Sequence, residues 1–260
     1  MRKFRIAALT SALVLLAGMA AAENIKVGVS VGEHAEIMEQ VAKVAEARGL
    51  NIEILEFTDY VVPNQALNDG DLQANSFQHQ PYLDNQIKDR GFDLVAIGKT
   101  ITTPMGIYSE RLKSLDELAD GAKVALPNDP TNGGRALLLL QDKGVIGLAD
   151  GVGLTPTPLD VTKNPKGLQF LELDAAQLPR ALADADVAII NTNYALEAGL
   201  NPEKDAIAIE AAESPYANII VVRSADKDAP WAKALVEAYH SPEVKKYIQD
   251  KYTGAVIPAW

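Results

Sequence analysis

Short runs of β-branched and apolar residues alternate with amphipathic segments along most of the chain. The first run covers residues 25–30, and a segment with helical spacing follows over residues 35–48. Within that segment Met38, Val41 and Ala45 recur every three or four residues, which is typical of a helix with one buried face. This alternation predicts an α/β protein in which helices cover a parallel sheet.

The same alternation continues towards the C-terminus, where turn signals help to place the helices. Asp129-Pro130 predicts a helix start, with an N-cap followed by a proline in the first turn. The pattern Ser114-Leu115-Asp116-Glu117 is a capping box and predicts another start. Helices are also expected over 80–90 and over 229–252, the latter split near Ser241-Pro242. Further strands are predicted near 51–57, 92–101, 123–127, 168–173, 187–191, 206–210 and 218–223.

No linker or change of composition separates two consecutive domains. We therefore predict a two-lobed fold in which strands cross from one lobe to the other and a ligand lies in the cleft between them. Residues 23–106 with 219–260 are expected to form the first lobe, and residues 107–218 the second.

The first 22 residues have the pattern of an export signal. Arg2, Lys3 and Arg5 precede an apolar run over 6–16, and small residues follow at 20–22. The run is shorter than the roughly 20 residues that span a bilayer. Met19 stands where a lipoprotein processing site would carry its acylated cysteine. We therefore expect a cleaved signal peptide at 1–22 and a secreted periplasmic protein without a lipid anchor.

Charge and cysteine content exclude several classes of function. The formal net charge is −11, and an acidic surface repels phosphate backbones, so no nucleic-acid partner is expected. The chain has no cysteine, which excludes thiol catalysis and thiolate metal sites. Metalloprotease and phosphate-loop motifs do not occur in the sequence either. No metal and no cofactor are therefore predicted.

The segment Gly28-Val29-Ser30-Val31-Gly32 matches the G-x-S-x-G pattern of a hydrolase nucleophile. A catalytic triad also needs a histidine base, and the chain offers His34, His79 and His240. The competing interpretation is a glycine-rich turn between a strand and a helix, whose N–H groups face a crevice. A periplasmic serine hydrolase that uses Ser30 is therefore kept as the alternative from a different class, although the protein is not expected to be an enzyme.

Aromatic residues concentrate between positions 57 and 82, in a stretch that is rich in polar and turn-forming residues. Tyr60 and Phe77, together with His79, are predicted to lie on turns and to form a pocket wall. Tyr82 is a further candidate, although it could instead pack its own helix. Phe57 is expected in the core at the end of a strand.

Polar candidates follow in the second half of the chain. Arg135 lies close to a predicted helix start, where a guanidinium and the helix dipole together favour a carboxylate. Gly133 and Gly134 beside it suggest a close backbone approach. Asn191 and Asn218 flank strands and carry carbonyl oxygens that can accept from an ammonium group.

In combination, these segments resemble the methionine-binding proteins of the NlpA type, the receptor components of bacterial methionine ABC importers. The resemblance covers nearly the whole mature chain. The matching blocks, in chain order, are Phe57-Thr58-Asp59-Tyr60 with Pro63-Asn64, Ala74 to His79, Pro127 to Arg135, Ile190-Asn191-Thr192, and Ser214 to Asn218.

The resemblance implies two α/β lobes that enclose methionine. Tyr60, Phe77 and His79 would line the side-chain end, and Arg135 would hold the carboxylate. The amino-acid head would be held by Asn191 and Asn218, while Tyr82 and Tyr108 carry over more weakly. A monomer is expected, with the permease and ATPase of an ABC importer as partners.

Several alternatives stay open at this point. One methylene in an apolar pocket changes affinity by only about 1–3 kcal/mol, so either methionine enantiomer, a methionine dipeptide or another apolar amino acid fits the same pattern. An interaction protein without a small ligand is a third class, which no feature of the sequence favours.

Overall fold

The computed structural model describes residues 23–211 and 214–260, and the predicted signal peptide at 1–22 lies outside them. The strands are β1 Glu23–Ser30, β2 Leu50–Phe57, β3 Ala74–His79, β4 Leu94–Lys99, β5 Ile101–Thr102, β6 Gly106–Tyr108, β7 Lys123–Pro127, β8 Gly147–Leu148, β9 Val161–Lys163, β10 Gln169–Leu173, β11 Val187–Ile190, β12 Ala206–Ile209, β13 Asn218–Arg223 and β14 Ile257–Pro258.

The helices are α1 Glu33–Glu46, α2 Val62–Asp69, α3 Gln80–Arg90, α4 Pro130–Asp142, α5 Leu178–Ala181, α6 Thr192–Glu197, α7 Pro202–Asp205, α8 Pro230–Tyr239 and α9 Pro242–Tyr252. Short 3₁₀ turns occur at Leu115–Glu117, Pro158–Asp160, Ala175–Gln177 and Ser224–Asp226. Within the two described ranges, none of the helices combines the length and apolar character that crossing a bilayer requires.

Two five-stranded sheets organise the molecule. Their strand orders are β2-β1-β3-β13-β4 and β10-β7-β11-β6-β12. β2 runs parallel to β1, and β10 and β11 run parallel to β7, as the sequence predicts, whereas β13 and β6 run antiparallel to their neighbours. Both sheets are therefore mixed, and each antiparallel strand is the first strand after the chain has crossed between the sheets.

The chain crosses between the sheets twice. It leaves the first sheet before β6, which begins at Gly106, and returns to it with β13, which begins at Asn218. The lobe boundaries given by the sequence lie one residue from these strand starts, and they stay a prediction.

Each sheet has its own apolar core. In the first lobe Val27 and Val29 pack with Ile37 of α1, Leu235 of α8 and Ile248 of α9. In the second lobe β7 packs against α4, with Val124, Leu126 and Leu140 fully buried. Burying one such side chain contributes about 1.5–3 kcal/mol, so both lobes have substantial cores. The polar residues between the lobes are thus held on two stable supports.

The region between β2 and α3 is not the turn-rich stretch that the sequence predicts. It contains α2 and the six-residue strand β3, all of whose residues are buried. β3 has the sequence ANSFQH, which lacks apolar alternation. Its amides are satisfied by a tertiary partner: Asn75 Nδ2 and Gln78 Nε2 donate to Asn64 Oδ1 of α2 at 2.9 and 2.6 Å. A polar strand is stable here because its buried polar groups are hydrogen-bonded.

The helix-start signals have different outcomes. Asp129 caps α4 as predicted, accepting from the backbone N–H groups of Thr131 and Asn132. The pattern at Ser114 begins only a single 3₁₀ turn, and the Glu117 side chain accepts from the backbone of Lys113 in place of Ser114. The capping-box prediction of an α-helix at this point is therefore wrong.

Candidate ligand-binding site

One cavity between the two lobes brings together seven of the eight side chains that the sequence and the family resemblance offered as ligand contacts. The space among its lining side chains, together with its opening to solvent, is about 330 Å³. The predicted residues that line it are Tyr60, Phe77, His79, Tyr82, Arg135, Asn191 and Asn218. Sequence reasoning missed five others: His34, Gln78, Thr103, Asn132 and Asn193.

Strand ends and helix starts from both lobes deliver these side chains. Phe77 and His79 lie on β3, and Asn218 at the start of β13 is paired with His79 in the sheet. Phe77 and His79 were expected on turns, and that placement is wrong, although the direction into the cavity holds. From the second lobe, α4 provides Arg135 in its first turns, and Asn191 is the N-cap residue of α6. In α/β sheets, such ends form the crevice in which ligands bind.

Arg135 is buried, and much of its guanidinium is already bonded within the protein. Nε donates to Glu210 Oε1 at 3.0 Å, and Nη2 donates to Glu210 Oε2 and to the carbonyl of Thr103. The ring of Tyr216 stacks on the guanidinium, with its centroid 4.4 Å from Cζ. Nη1 has no hydrogen-bond partner among the residues that the structure describes. That edge keeps two N–H groups for a carboxylate in the cavity.

Asn132 connects the polar residues of both lobes. Its Oδ1 accepts from Asn191 Nδ2 at 2.9 Å and lies 3.2 Å from His79 Nε2. Because His79 Nδ1 accepts from the backbone of Tyr82, its proton must lie on Nε2, which donates to Asn132. Burial, followed by the charge of Arg135, lowers the pKa of His79 to about 3. His79 is therefore a neutral hydrogen-bond donor at neutral pH.

Two amide atoms of residues that line the cavity are buried with no hydrogen-bond partner anywhere in the described part of the chain. Asn191 Nδ2 donates to Asn132, but Asn191 Oδ1 is an acceptor that receives no hydrogen bond from any described residue. Asn193 Oδ1 accepts from the Tyr60 hydroxyl at 2.5 Å, but Asn193 Nδ2 is a donor with no acceptor among the described residues. A buried polar atom without a partner costs about 1–3 kcal/mol. A ligand with one cationic and one anionic group would satisfy both atoms.

The opposite side of the cavity is aromatic. The rings of Tyr60, Phe77 and Tyr82 lie 6.0–6.3 Å apart, and the ring of Tyr194 lies 5.1 Å from that of Tyr60. The Tyr82 hydroxyl donates to the carbonyl of Tyr60, which fixes both residues. Burial raises the pKa of Tyr60 well above its ordinary value, so the ring is uncharged. Such a wall suits an apolar or thioether side chain.

Tyr108 and Ser30 lie outside this cavity. Tyr108, the weaker of the family-derived candidates, is buried in the core of the second lobe. The hydroxyl of Ser30 is buried and has no hydrogen-bond partner among the described residues, so no described histidine contacts it as a base. Packing explains the two glycines of the G-x-S-x-G pattern, Gly28 and Gly32. A Cβ at Gly28 would lie 2.6 Å from Leu72, and Gly32, at φ +87°, lies against the backbone of Asn193.

Comparison with known proteins shows which family the chain belongs to. The model of a family described as NlpA lipoprotein matches residues 25–260. The chain belongs to the NlpA lipoprotein family. Its relatives include the D-methionine-binding lipoprotein MetQ of Salmonella typhimurium, which is 51% identical over 99% of both chains.

Solved structures of similar proteins agree with this assignment and confirm the predicted two-lobed α/β fold. A nutrient binding protein from Burkholderia cenocepacia bound to methionine is 56% identical, with a TM-score of 0.89, over 91% of this chain and 100% of that one. An ABC transporter periplasmic substrate-binding protein from Coxiella burnetii is 48% identical, with a TM-score of 0.87, over 90% and 100%.

The family also corrects one prediction. Its members are named lipoproteins, which points to a lipid-anchored periplasmic protein. The expectation of a periplasmic protein without an anchor is therefore wrong. It depended on Met19, in a segment outside the described residues, and one residue of a signal region is weak grounds for localisation.

Proposed function

We propose that this protein is a solute-binding protein that captures free methionine between its lobes and delivers it to the permease and ATPase of an ABC importer. It acts by binding and not by catalysis. As a monomer it would hold the ligand with side chains from both of its own lobes. The names of its relatives, which include methionine-binding proteins and an ABC transporter substrate-binding protein, support the same reading.

The observation that carries the proposal is the pairing of opposite chemistries in one enclosed space. Nη1 of Arg135 is the group for the ligand carboxylate, and Oδ1 of Asn191 is an acceptor for its ammonium, with Asn218 beside it. The rings of Tyr60, Phe77 and Tyr82 surround the side chain, and His79, which lies beside Tyr82 and donates to Asn132, joins this aromatic wall to the polar groups. Burying a zwitterion requires that both charges be matched, because an uncompensated buried ion costs several kcal/mol.

Calorimetry on protein freed of ligand by partial unfolding and dialysis tests this proposal. L-methionine, D-methionine, a methionine dipeptide and norleucine should be titrated separately. We expect a methionine form to bind most tightly. Norleucine, which replaces the sulfur by a methylene, should bind up to about tenfold more weakly, since a sulfur–aromatic contact contributes about 0.3–1.5 kcal/mol. Binding of the dipeptide alone would redirect the proposal to peptides.

The carboxylate assignment is tested by Arg135→Lys and Arg135→Gln. Lysine keeps the charge that balances Glu210 but loses the planar fork, so affinity should fall about tenfold, and glutamine should lower it further. Arg48→Gln is the matched control, because Arg48 also pairs with a glutamate but lies on the surface. Wild-type affinity in both Arg135 variants would refute the assignment.

A further inference from the structure

The side chains that line the cavity include one fixed charge, that of Arg135. The other lining residues are uncharged tyrosine, phenylalanine, threonine and amide side chains, together with two histidines. Burial lowers the pKa of His34 to about 4, and burial with the charge of Arg135 lowers that of His79 to about 3. Both histidines are therefore neutral at neutral pH, and the cavity lining by itself would be cationic.

Glu210 offsets that charge from behind the cavity wall. Both of its carboxylate oxygens accept from Arg135, and the pair is largely buried, with the side chains 2% and 12% exposed. Glu210 does not line the cavity. Its Oε2 accepts from the backbone N–H of Met105, and its own N–H donates to the Met105 carbonyl at 2.9 Å. The carboxylate is thus fixed to the segment that crosses between the sheets.

A second carboxylate near the cavity is committed elsewhere. Asp129 is close enough to raise the pKa of Tyr60, but its oxygens accept from the backbone of Thr131 and Asn132 and from the Asn132 side chain. A carboxylate at this position is compensated by the positive end of the α4 dipole. Glu33 also acts on Tyr60, but burial raises its own pKa to about 8, so it is uncharged at neutral pH and the balance of charge at the guanidinium depends on Glu210.

We propose that Glu210 makes the cavity selective for ligands without net charge, by neutralising Arg135 before any ligand enters. The inference rests on the proposed function and adds a basis for its specificity. A zwitterion leaves the buried site neutral. An anion that lacks the ammonium group, or a cation that lacks the carboxylate, leaves one uncompensated charge in a poorly solvated space, which is costly.

The test uses two methionine analogues that are smaller than methionine, so that steric exclusion plays no part. One is 4-(methylthio)butanoate, which lacks the ammonium group, and the other is 3-(methylthio)propylamine, which lacks the carboxylate. Affinities for both and for methionine are measured in wild type, Glu210→Gln and Glu210→Asp. In Glu210→Gln the affinity for the anion, relative to that for methionine, should rise by at least about tenfold, or about 1.4 kcal/mol. The affinity for the cation relative to methionine should fall by at least the same factor.

Glu210→Asp keeps the charge and should keep the wild-type preference. Glu237→Gln, a surface glutamate paired with Arg48, is the control for a charge change elsewhere. If Glu210→Gln weakens all three ligands equally, Glu210 only positions Arg135 and the inference is overturned, while the proposed function stands. If wild type binds no form of methionine, the proposed function itself fails.

A second comparison keeps the inference testable if Glu210→Gln does not fold. In Arg135→Gln the carboxylate of Glu210 is left uncompensated. The affinity for the amine, divided by the affinity for the anion, should therefore be higher than in wild type. Adding Glu210→Gln to Arg135→Gln should abolish this gain. An amine preference that survives the second substitution would have another source and would contradict the proposal.

Discussion

At the scale of single residues, Glu33 is the clearest case of a side chain whose protonation is set by folding. It lies in the first turn of α1, 1% exposed, and neither carboxylate oxygen has a hydrogen-bond partner in the described ranges. Burial, with a smaller effect of Glu36, raises its pKa from 4.5 to about 8, and the dipole of its own backbone N–H acts in the opposite direction. The native protein therefore holds this proton at neutral pH, and the unfolded chain does not.

This difference predicts a pH-dependent stability. Between pH 4.5 and 8 the native state binds one more proton at Glu33 than the unfolded state, so the contribution of Glu33 to the free energy of unfolding falls as pH rises through that window. Glu33→Gln should remove the loss and raise the melting temperature more at pH 8 than at pH 6.5. Thermal melts across that interval measure it. His34 and His79, whose pKa values are lowered by burial, oppose this slope until the unfolded chain has lost its imidazole protons, about one pH unit above 6.5, and the comparison of Glu33→Gln with wild type cancels their effect.

Glu39→Gln is the control, since Glu39 lies on the exposed side of the same helix. It should leave the pH dependence of melting as in wild type. If the melting temperatures of wild type and Glu33→Gln differ by the same amount at every pH from 6.5 to 8, Glu33 is ionised in the native protein and this account is wrong.

Residue type alone indicated much of the site, but it could not reveal the partners that tune it. Arginine near a helix start, asparagines at strand ends and clustered aromatics identified seven lining residues. Asn132 had a detectable signal, because it is three residues before Arg135 and shares its helix. Glu210 had none. It is separated from Arg135 by 75 positions, and only the packing of β12 beside β6 brings it to the guanidinium.

At the scale of elements, α4 shows why two glycines stand beside the site. A Cβ at Gly133 would lie 2.6 Å from the Pro127 carbonyl oxygen. At Gly134 it would lie 2.6 Å from the Leu154 carbonyl oxygen and 2.8 Å from Thr155 Cα. These atoms belong to the backbone and have little freedom to move. The close approach suggested by the sequence is therefore real, and the partner is the protein's own chain.

This packing predicts that Gly134→Ala weakens both stability and binding. Alanine favours a helix by about 1 kcal/mol over glycine, but here it must push α4 away from residues 154–156, at a cost of about 1–3 kcal/mol. Because Arg135 is the next residue, methionine affinity should fall together with the melting temperature. Asp142→Ala, exposed at the end of the same helix, is the control. A melting temperature at or above wild type for Gly134→Ala would contradict this account.

Elements were predictable where apolar periodicity was strong. α1, β1, β7 and α8 bury regular apolar faces, and their positions follow from the sequence. β3 was missed because its polar residues owe their stability to Asn64, which belongs to another element. The missed strand is the one that carries Phe77 and His79, so the sequence pattern was weakest where the site is richest.

At the scale of the whole molecule, a few hydrogen bonds join the lobes around the cavity. The Tyr60 hydroxyl donates to Asn193, and His79 donates to Asn132. The Tyr194 hydroxyl donates to the carbonyl of Thr58, at the end of β2, over 3.1 Å. Tyr194 does not line the cavity. The Tyr194–Thr58 hydrogen bond can form only when the two lobes are as close together as they are in this structure. If methionine binding depends on the lobes closing, this bond contributes to affinity although Tyr194 does not touch the ligand.

Tyr194→Phe isolates that contribution, because it removes one hydroxyl and keeps the ring that packs on Tyr60. The net value of a hydrogen bond is about 0.5–1.5 kcal/mol, so methionine affinity should fall about two- to tenfold. The loss should appear as faster release, since a bond that forms on closing holds the closed state once it is reached. Calorimetry and stopped-flow fluorescence measure both quantities, with Tyr247→Phe, on α9 and outside the cavity lining, as the control. Unchanged affinity and release in Tyr194→Phe would mean that closure draws no stability from this contact, and that the ligand's own interactions hold the lobes together.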